Sequence, residues 1–277
     1  MAQKNILITG CSSGIGLDVA RGLQQQGWRV FASARRAEDV ARLQADGFAD
    51  ALLLDVDDSA SIRQALDEVL RRSGGQLQAL FNNAGYGQPG AAEDISRPAM
   101  RAQFETNLFG AWELTNAVLP VMRRQGSGRI LFNSSVLGFA AMKYRGAYNA
   151  SKYAMEGLCD TLRLELAGTG IHVSLIEPGP IESRFRPNAL QKFLANVDIE
   201  ASAHRDSYQK QLARLKKEGH AAPFTLPGTA VLAVVEKALA APRPAARYRV
   251  TTPTKVFWYL KRLLPTRWLD WVLNKAA

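Results

Sequence analysis

"NILITGCSSGIG", residues Asn5 to Gly16, decides the fold. A short apolar run rich in isoleucine and leucine meets three glycines, Gly10, Gly14 and Gly16, and a segment of helical period follows from Ile15 to Gln26. A strand that turns through glycines into a helix N-terminus is suited to a diphosphate, because the first turn of the helix offers unpaired N–H groups and positive potential. Gly10 allows the tight turn, Gly14 lets the backbone approach a pyrophosphate, and Gly16 lets helix and sheet pack closely. Ser12, Ser13 and Ile15 complete the loop and are assigned to the same site. The spacing is not the commoner G-x-G-x-x-G, but the physical demands are the same.

Working outward, "RVFASA", "ALLLDV", "ALFNNAG", "RILFNSS" and "HVSLIEPG" are further apolar, strand-like runs. Segments long enough for crossover helices separate them, including 15–26, 59–72, 99–124 and 146–168. Continuously apolar strands are buried on both faces, and helical crossovers force parallel pairing. The expectation is an α/β fold: a Rossmann-like, doubly wound parallel sheet of about seven strands with helices on both faces. "ARYRVT" supplies the last strand. Residues 1–252 read as one domain, with an irregular insertion over about 183–225 placed to act as a lid, and 253–277 as an amphipathic extension.

The second strand, "RVFASARR", ends without the carboxylate that usually bonds an NAD ribose. Arg35 and Arg36 stand there instead, and a guanidinium forks onto a 2′-phosphate, so the expected cofactor is NADP(H). Asp55, closing "LLLDV", is placed either to bond the adenine edge or to cap the helix beginning near Ser59; Val56 would pack on the ring.

"TGCSSGIG", "NNAG" (Asn82–Gly85), Asn107, "NSS" ending at Ser135, "YNASK" (Tyr148–Lys152) and "EPGPI" (Glu177–Ile181) stand in an order and spacing that resemble the short-chain dehydrogenase/reductase family. They cover roughly residues 5 to 185. The chain is most similar to the branch holding 17β-hydroxysteroid and retinol dehydrogenases, and to bacterial NADP-dependent aldehyde reductases that share its "KRLLP" tail.

Carbonyl reduction needs a proton donor beside the oxygen as hydride reaches carbon. A free phenol ionises only near pH ~10. Lys152, one helical turn from Tyr148, is expected, together with the positive nicotinamide ring of the oxidised cofactor, to favour the phenolate and lower that value. Ser135 would bond the substrate oxygen, while strand alternation turns Ser134 away. The resemblance implies that Lys152 also bonds the nicotinamide ribose and that Asn107 holds a water linking Lys152 to solvent. By the same resemblance Asn83 and Ala84 line the adenine-ribose wall, with Gly85 allowing close passage. Pro178 and Gly179 turn the chain under the nicotinamide, and the Ile181 backbone bonds its carboxamide. Ser183 stands where relatives often carry threonine.

Two cysteines, Cys11 and Cys159, make no disulfide framework, and no charged-then-apolar leader precedes the first strand; a reducing, cytoplasmic setting is expected. His172, His204 and His220 have no ligand spacing, so no metal is expected. The formal charge is +10, and from Arg243 onward eight basic residues face a single acid, Asp270. No recognition motif accompanies that charge, which argues against nucleic acid. "KVFWYLKRLLPTRWLDWVLNK" reads as two amphipathic helices divided by Pro265. Its stripes fit either packing over the substrate entrance or a subunit interface, or peripheral contact with an anionic membrane. The expected partner is a small apolar carbonyl or alcohol substrate; the long helices at 99–124 and 146–168 resemble the family's dimer-forming pair, so a homodimer or homotetramer is expected. The alternative in a different class is a non-catalytic NADP-binding regulator.

Overall fold

The computed structural model describes residues 3–217, 219 and 222–276. Seven parallel strands form one sheet: β1 (Asn5–Ile8), β2 (Arg29–Ala34), β3 (Leu52–Leu53), β4 (Ala79–Asn82), β5 (Gly128–Asn133), β6 (Ile171–Glu177) and β7 (Arg247–Arg249). Their order is β3-β2-β1-β4-β5-β6-β7, so the winding reverses between β1 and β4, as the doubly wound reading requires.

Within β1 the side chains divide between the faces. Ile6 and Ile8 join the cluster formed with α1 (Gly14–Gln25), α2 (Ala37–Ala45) and α9 (Thr229–Ala240), through Val19, Leu23, Leu43, Val231 and Val235. Leu7 points to the opposite cluster, built with α3 (Ser59–Ser73), α5 (Gly110–Gln125) and α6 (Gly146–Glu165), through Val69, Leu114, Val118, Met155 and Leu162. Burial on both faces is why the strands read as unbroken apolar runs rather than alternating ones.

Two helical expectations are corrected. The segment 99–124 is not one helix: α4 (Arg97–Phe104) passes through a π-helical turn, Glu105–Phe109, before α5 begins. That turn contains Asn107, whose side chain is fully buried. The cap of α3 is Asp58, which accepts from the Ala60 N–H at 2.8 Å. Asp55 instead accepts from the Asp57 N–H at 3.1 Å, stabilising the turn before the helix.

The insertion after β6 carries α7 (Phe185–Asn196) and α8 (Arg205–Lys216), which share a core of Ala189, Phe193, Tyr208 and Leu215. After β7, α10 (Thr252–Leu263) and α11 (Thr266–Ala276) lie against the 3-10 turn Val136–Gly138. The extension therefore packs on the body with one of its faces. No described helix is both long and apolar enough to cross a membrane.

Candidate active site

The carboxyl ends of β1, β4, β5 and β6 converge on one crevice, where ligands of open α/β sheets bind. Gly10 and Gly14 have positive φ, +71° and +59°, which favours glycine. A Cβ on Gly10 would meet Ala84 Cα at 2.9 Å; one on Gly14 would meet Ser183 Cβ at 2.8 Å; one on Gly16 would meet the Gly10 carbonyl oxygen at 2.4 Å. The three glycines thus keep open the wall between phosphate loop, "NNAG" and lid base. Ser13 stands at the N-cap of α1 and makes no side-chain capping bond, so the first-turn N–H groups remain available to an anion. Thr9 Oγ1 accepts from the Asn83 and Ala84 N–H groups, both at 2.9 Å, and Asn83 Nδ2 donates to the Thr9 carbonyl at 2.8 Å. Thr9 was not assigned a role from the sequence, yet it ties the glycine loop to "NNAG". Ser12, Ile15 and Gly16 lie in the same loop and first turn of α1.

At the end of β2, Arg35 and Arg36 are both exposed. They are not equivalent. Arg36 is engaged by Glu38 at 3.1 Å and Asp39 at 2.8 Å, whereas Arg35 makes no ion pair among the described residues. Arg42, unassigned from the sequence, pairs with Asp39 at 2.6 Å and donates to the Ser12 carbonyl at 2.9 Å, fixing the glycine loop to α2. Val56 is buried, its carbonyl against Gly110. A dinucleotide fits this crevice: the cradle is kept clear by glycines, donors are free at α1, and a cation stands at the ribose end.

The catalytic candidates lie across β5 and α6. Tyr148, Lys152 and Glu156 recur every fourth residue and form one buried stripe along α6. The Ser135 hydroxyl lies close enough to the Tyr148 phenol to favour its ionised form, and accepts from the Leu137 N–H at 3.1 Å. Ser134 turns the other way and donates to Glu156 Oε1, as strand alternation demands. Lys152 Nζ donates to the Asn133 carbonyl at 2.7 Å and stands 5.8 Å from the Tyr148 ring centroid. Asn107 Oδ1 accepts from the Tyr86 N–H at 3.0 Å, and its Nδ2 donates to the Tyr86 carbonyl and to Ser151 Oγ. Ser151 in turn donates to the Tyr148 carbonyl at 2.9 Å, so the π turn braces α6 where Tyr148 leaves it. A Cβ on Gly85 would meet Asn107 Oδ1 at 3.1 Å; that glycine makes room for the asparagine.

The chain's own groups do not lower the phenol. Burial pushes the Tyr148 phenol up to about 12, with the Ser135 hydroxyl and Arg145 pulling the other way. Lys152 is buried as well and is drawn down to about 8, with Glu156 supporting its charge. Desolvation opposes both charged forms and exceeds what one ammonium, already bonded to a carbonyl, supplies. Tyr148 is consequently a neutral acid at physiological pH.

Apolar walls explain that burial. Tyr148 shares a cluster with Val136, Leu137 and Ala140, and with Leu269 and Leu273 of α11. Phe185, at the start of the lid, meets the Tyr148 ring edge-on at 5.3 Å between centroids. Neither contact was legible beforehand. Below the site, the Pro178 carbonyl accepts from the Val136 N–H at 2.8 Å, and a Cβ on Gly179 would meet Thr251 Oγ1 at 2.2 Å, so this turn also seats the start of α10. Ile181 bridges Leu226, and Ser183 Oγ accepts from the Phe185 N–H at 3.3 Å. Of the histidines, His172 and His204 lie apart, and His220 lies outside the described residues; no metal-binding cluster occurs among the described residues.

Comparison with known proteins agrees with this geometry. The sequence model for "short chain dehydrogenase" matches residues 4–192. The Escherichia coli (strain K12) protein named "Uncharacterized oxidoreductase YbbO" is 44% identical over 98% of this chain and 94% of its own. Human 17-beta-hydroxysteroid dehydrogenase type 1 is 36% identical over 91% of this chain and 78% of its own. The crystal structure of a variant of actinorhodin polyketide ketoreductase with NADPH superposes with a TM-score of 0.74 at 30% identity, over 90% of this chain and 95% of that one. The chain belongs to the short-chain dehydrogenase family of oxidoreductases.

Proposed function

We propose that the protein is a cytoplasmic, NADPH-dependent reductase of apolar aldehydes or ketones, reversible to alcohol oxidation and working as a homodimer or homotetramer. The observation that carries this reading is a neutral phenol beside Ser135 and Lys152, packed among apolar side chains that include Phe185, Leu269 and Leu273. NADPH, when bound, would supply the hydride. The glycine loop and α1 would hold its phosphates, Arg35 the 2′-phosphate, and Asp55, Val56, Asn83, Ala84 and Gly85 the adenosine side. Pro178, Gly179, Ile181 and Ser183 would hold the nicotinamide end.

Ser135 would orient the substrate oxygen, and Tyr148 would donate its proton there as negative charge develops. Lys152 would stabilise the phenolate left behind and bond the cofactor ribose, and Asn107 would hold the relay water that returns a proton. A neutral Tyr148 suits the reductive direction, since an acid must carry its proton at the working pH. The apolar walls favour long-chain, retinoid-like or steroid-like carbonyls, whose hydrocarbon surface they would take out of water. The apparatus for proton donation would serve no purpose in a non-catalytic cofactor sensor.

The test is NADPH consumption over a panel of apolar aldehydes and ketones. Turnover should exceed that with NADH, and Arg35→Ala should raise KM for NADPH by about ten-fold or more, the loss of one charge-assisted phosphate contact, with little change for NADH. A protein that binds NADPH but reduces no carbonyl would be a regulator. The pH dependence follows from Lys152. Below about 8 the ammonium is intact; as pH rises through that value the charge that stabilises the Tyr148 phenolate is lost. Reduction at saturating substrate should hold level near neutrality and decline through pH 8, while alcohol oxidation, which needs the phenolate beside an ammonium, should climb toward pH 8 and level off there. Steady-state kcat measured in both directions from pH 6 to 10 checks the sign.

A further inference from the structure

We propose that the outward faces of α10 and α11 form a docking surface for an anionic lipid bilayer. The inference does not depend on the reductase reading. The two helices are amphipathic on both sides of their axes. Phe257, Leu260, Leu264, Leu269 and Leu273 point inward and pack beside Val136, Leu137 and Ala140. That contact satisfies the helices' need to bury an apolar stripe, yet a second stripe remains in water. Val256, Tyr259 and Leu263, spaced i, i+3 and i+7, share the outer face of α10; Trp268 and Trp271 share that of α11. Leu263 is 75% exposed, Trp268 67% and Trp271 61%. Single exposed apolar residues need no explanation, but five on two consecutive helices do.

Their neighbours indicate the occupant. Lys255, Lys261, Arg267 and Lys275 are exposed along the same helices, and Asp270 is the one acid from residue 243 to the end of the chain. Lys275 Nζ stands 3.9 Å from the Trp271 ring centroid, and on another side of α10 Lys261 Nζ reaches 5.6 Å from that of Tyr153. Indoles and a phenol carry an apolar body and a polar edge, which suits the level of lipid headgroups, and flanking ammonium groups suit their phosphates. A second copy of this chain is a poor fit. A two-fold contact would set this patch against itself and bring at least four cations per copy together against one acid each. An anionic bilayer supplies the missing negative charge along with a medium for the apolar stripe.

The test is flotation of the full chain with phosphatidylcholine vesicles, with and without phosphatidylglycerol. Binding is expected only where phosphatidylglycerol is present, with a blue shift of tryptophan emission and release by high salt. The double substitution Trp268→Ser and Trp271→Ser should lower the bound fraction at least ten-fold. Replacing Lys255, Lys261, Arg267 and Lys275 with Gln should abolish the preference for phosphatidylglycerol. Both variants alter exposed side chains, and unchanged thermal unfolding confirms that they fold. Absence of flotation by the wild type, or equal flotation by wild type and variants, overturns the proposal. So does loss of a dimer in light scattering on the double substitution without any vesicle binding, which would make this face a subunit contact.

Discussion

Replacing Tyr148 with phenylalanine should lower carbonyl turnover by about 10³-fold, within the range that loss of a positioned general acid or base produces. The same variant should bind NADPH within about two-fold of the wild type and unfold within about 1 kcal/mol of it, since only one buried hydroxyl is removed. Those limits follow from the geometry. The ring stays in place against Phe185 and Leu273, and the Ser135 hydroxyl keeps its bond from the Leu137 N–H. The cofactor cradle is built from β1, α1 and the end of β4, which the phenol does not brace. Single-turnover measurement with prebound NADPH isolates the chemical step, and calorimetry reports stability. Turnover within ten-fold of the wild type would remove Tyr148 as proton donor. Loss of turnover together with loss of NADPH binding would instead indicate a structural role. Lys152→Met gives the complementary result: turnover should fall steeply, while thermal stability should hold or rise, because a buried ammonium whose proton affinity burial has lowered is replaced by a side chain of similar length and no charge.

The parts of this fold legible in the sequence are those written in local spacing. The glycine loop, the seven strands and the stripe from Tyr148 to Lys152 each depend on residues a few positions apart, and the structure keeps them in the expected elements. What was not legible depends on side chains meeting across the chain. Phe185 reaches Tyr148 from 37 positions away. Arg42 bonds Ser12 across 30 positions, and Thr9 bonds Asn83 across 74. The π turn at Asn107 escaped because a helix that absorbs one extra residue keeps nearly the same apolar period on both sides. Arg35 and Arg36 look interchangeable as a pair of letters; only the position of Asp39, buried in the first turn of α2, distinguishes them. The balance of the protein's own groups at Tyr148 was not legible for a related reason. A lysine one turn from a tyrosine is visible in sequence, but the burial that opposes its effect involves a cluster that includes Leu269 and Leu273, more than a hundred residues later.

The same principle governs the second large effect, which lies at Arg247. In sequence this residue is one of many cations near the C-terminus. In the structure its Nε donates to Glu156 Oε2 at 3.0 Å and lies 3.2 Å from Glu177 Oε1, while its terminal nitrogen donates to Asp160 Oδ2 at 2.8 Å. Glu177 is fully buried at the end of β6, where Arg249 at 3.3 Å is its other ionic partner. Arg247→Met would leave Glu156 without its ion-pair partner, Glu177 with Arg249 alone and Asp160 with Arg163, and breaking a buried pair in this way costs about 3–5 kcal/mol. Near pH 8 that corresponds to a fall in Tm of roughly 6–15 °C for a domain of this size. The pH dependence has a definite sign. Burial, then the neighbouring Glu156, push the Glu177 carboxyl from 4.5 up to about 7, against the pull of the arginines. Between those values the folded chain holds a proton that the unfolded chain does not, so this group favours folding at low pH and that contribution is lost as pH rises through 7. Without Arg247 the carboxyl is raised further. The Tm difference between variant and wild type should therefore be largest at pH 8.5 and shrink toward pH 5.5, where protonation relieves the unpaired charge. Thermal unfolding at those two pH values decides the matter, and an equal deficit at both would mean that Arg247 acts through packing of its side-chain stem. Turnover should fall too, by less than for Tyr148→Phe: Glu156 is the residue that bonds Ser134, next to Ser135, and supports the charge of Lys152, so disturbing its partner loosens the proton-transfer groups without removing any of them.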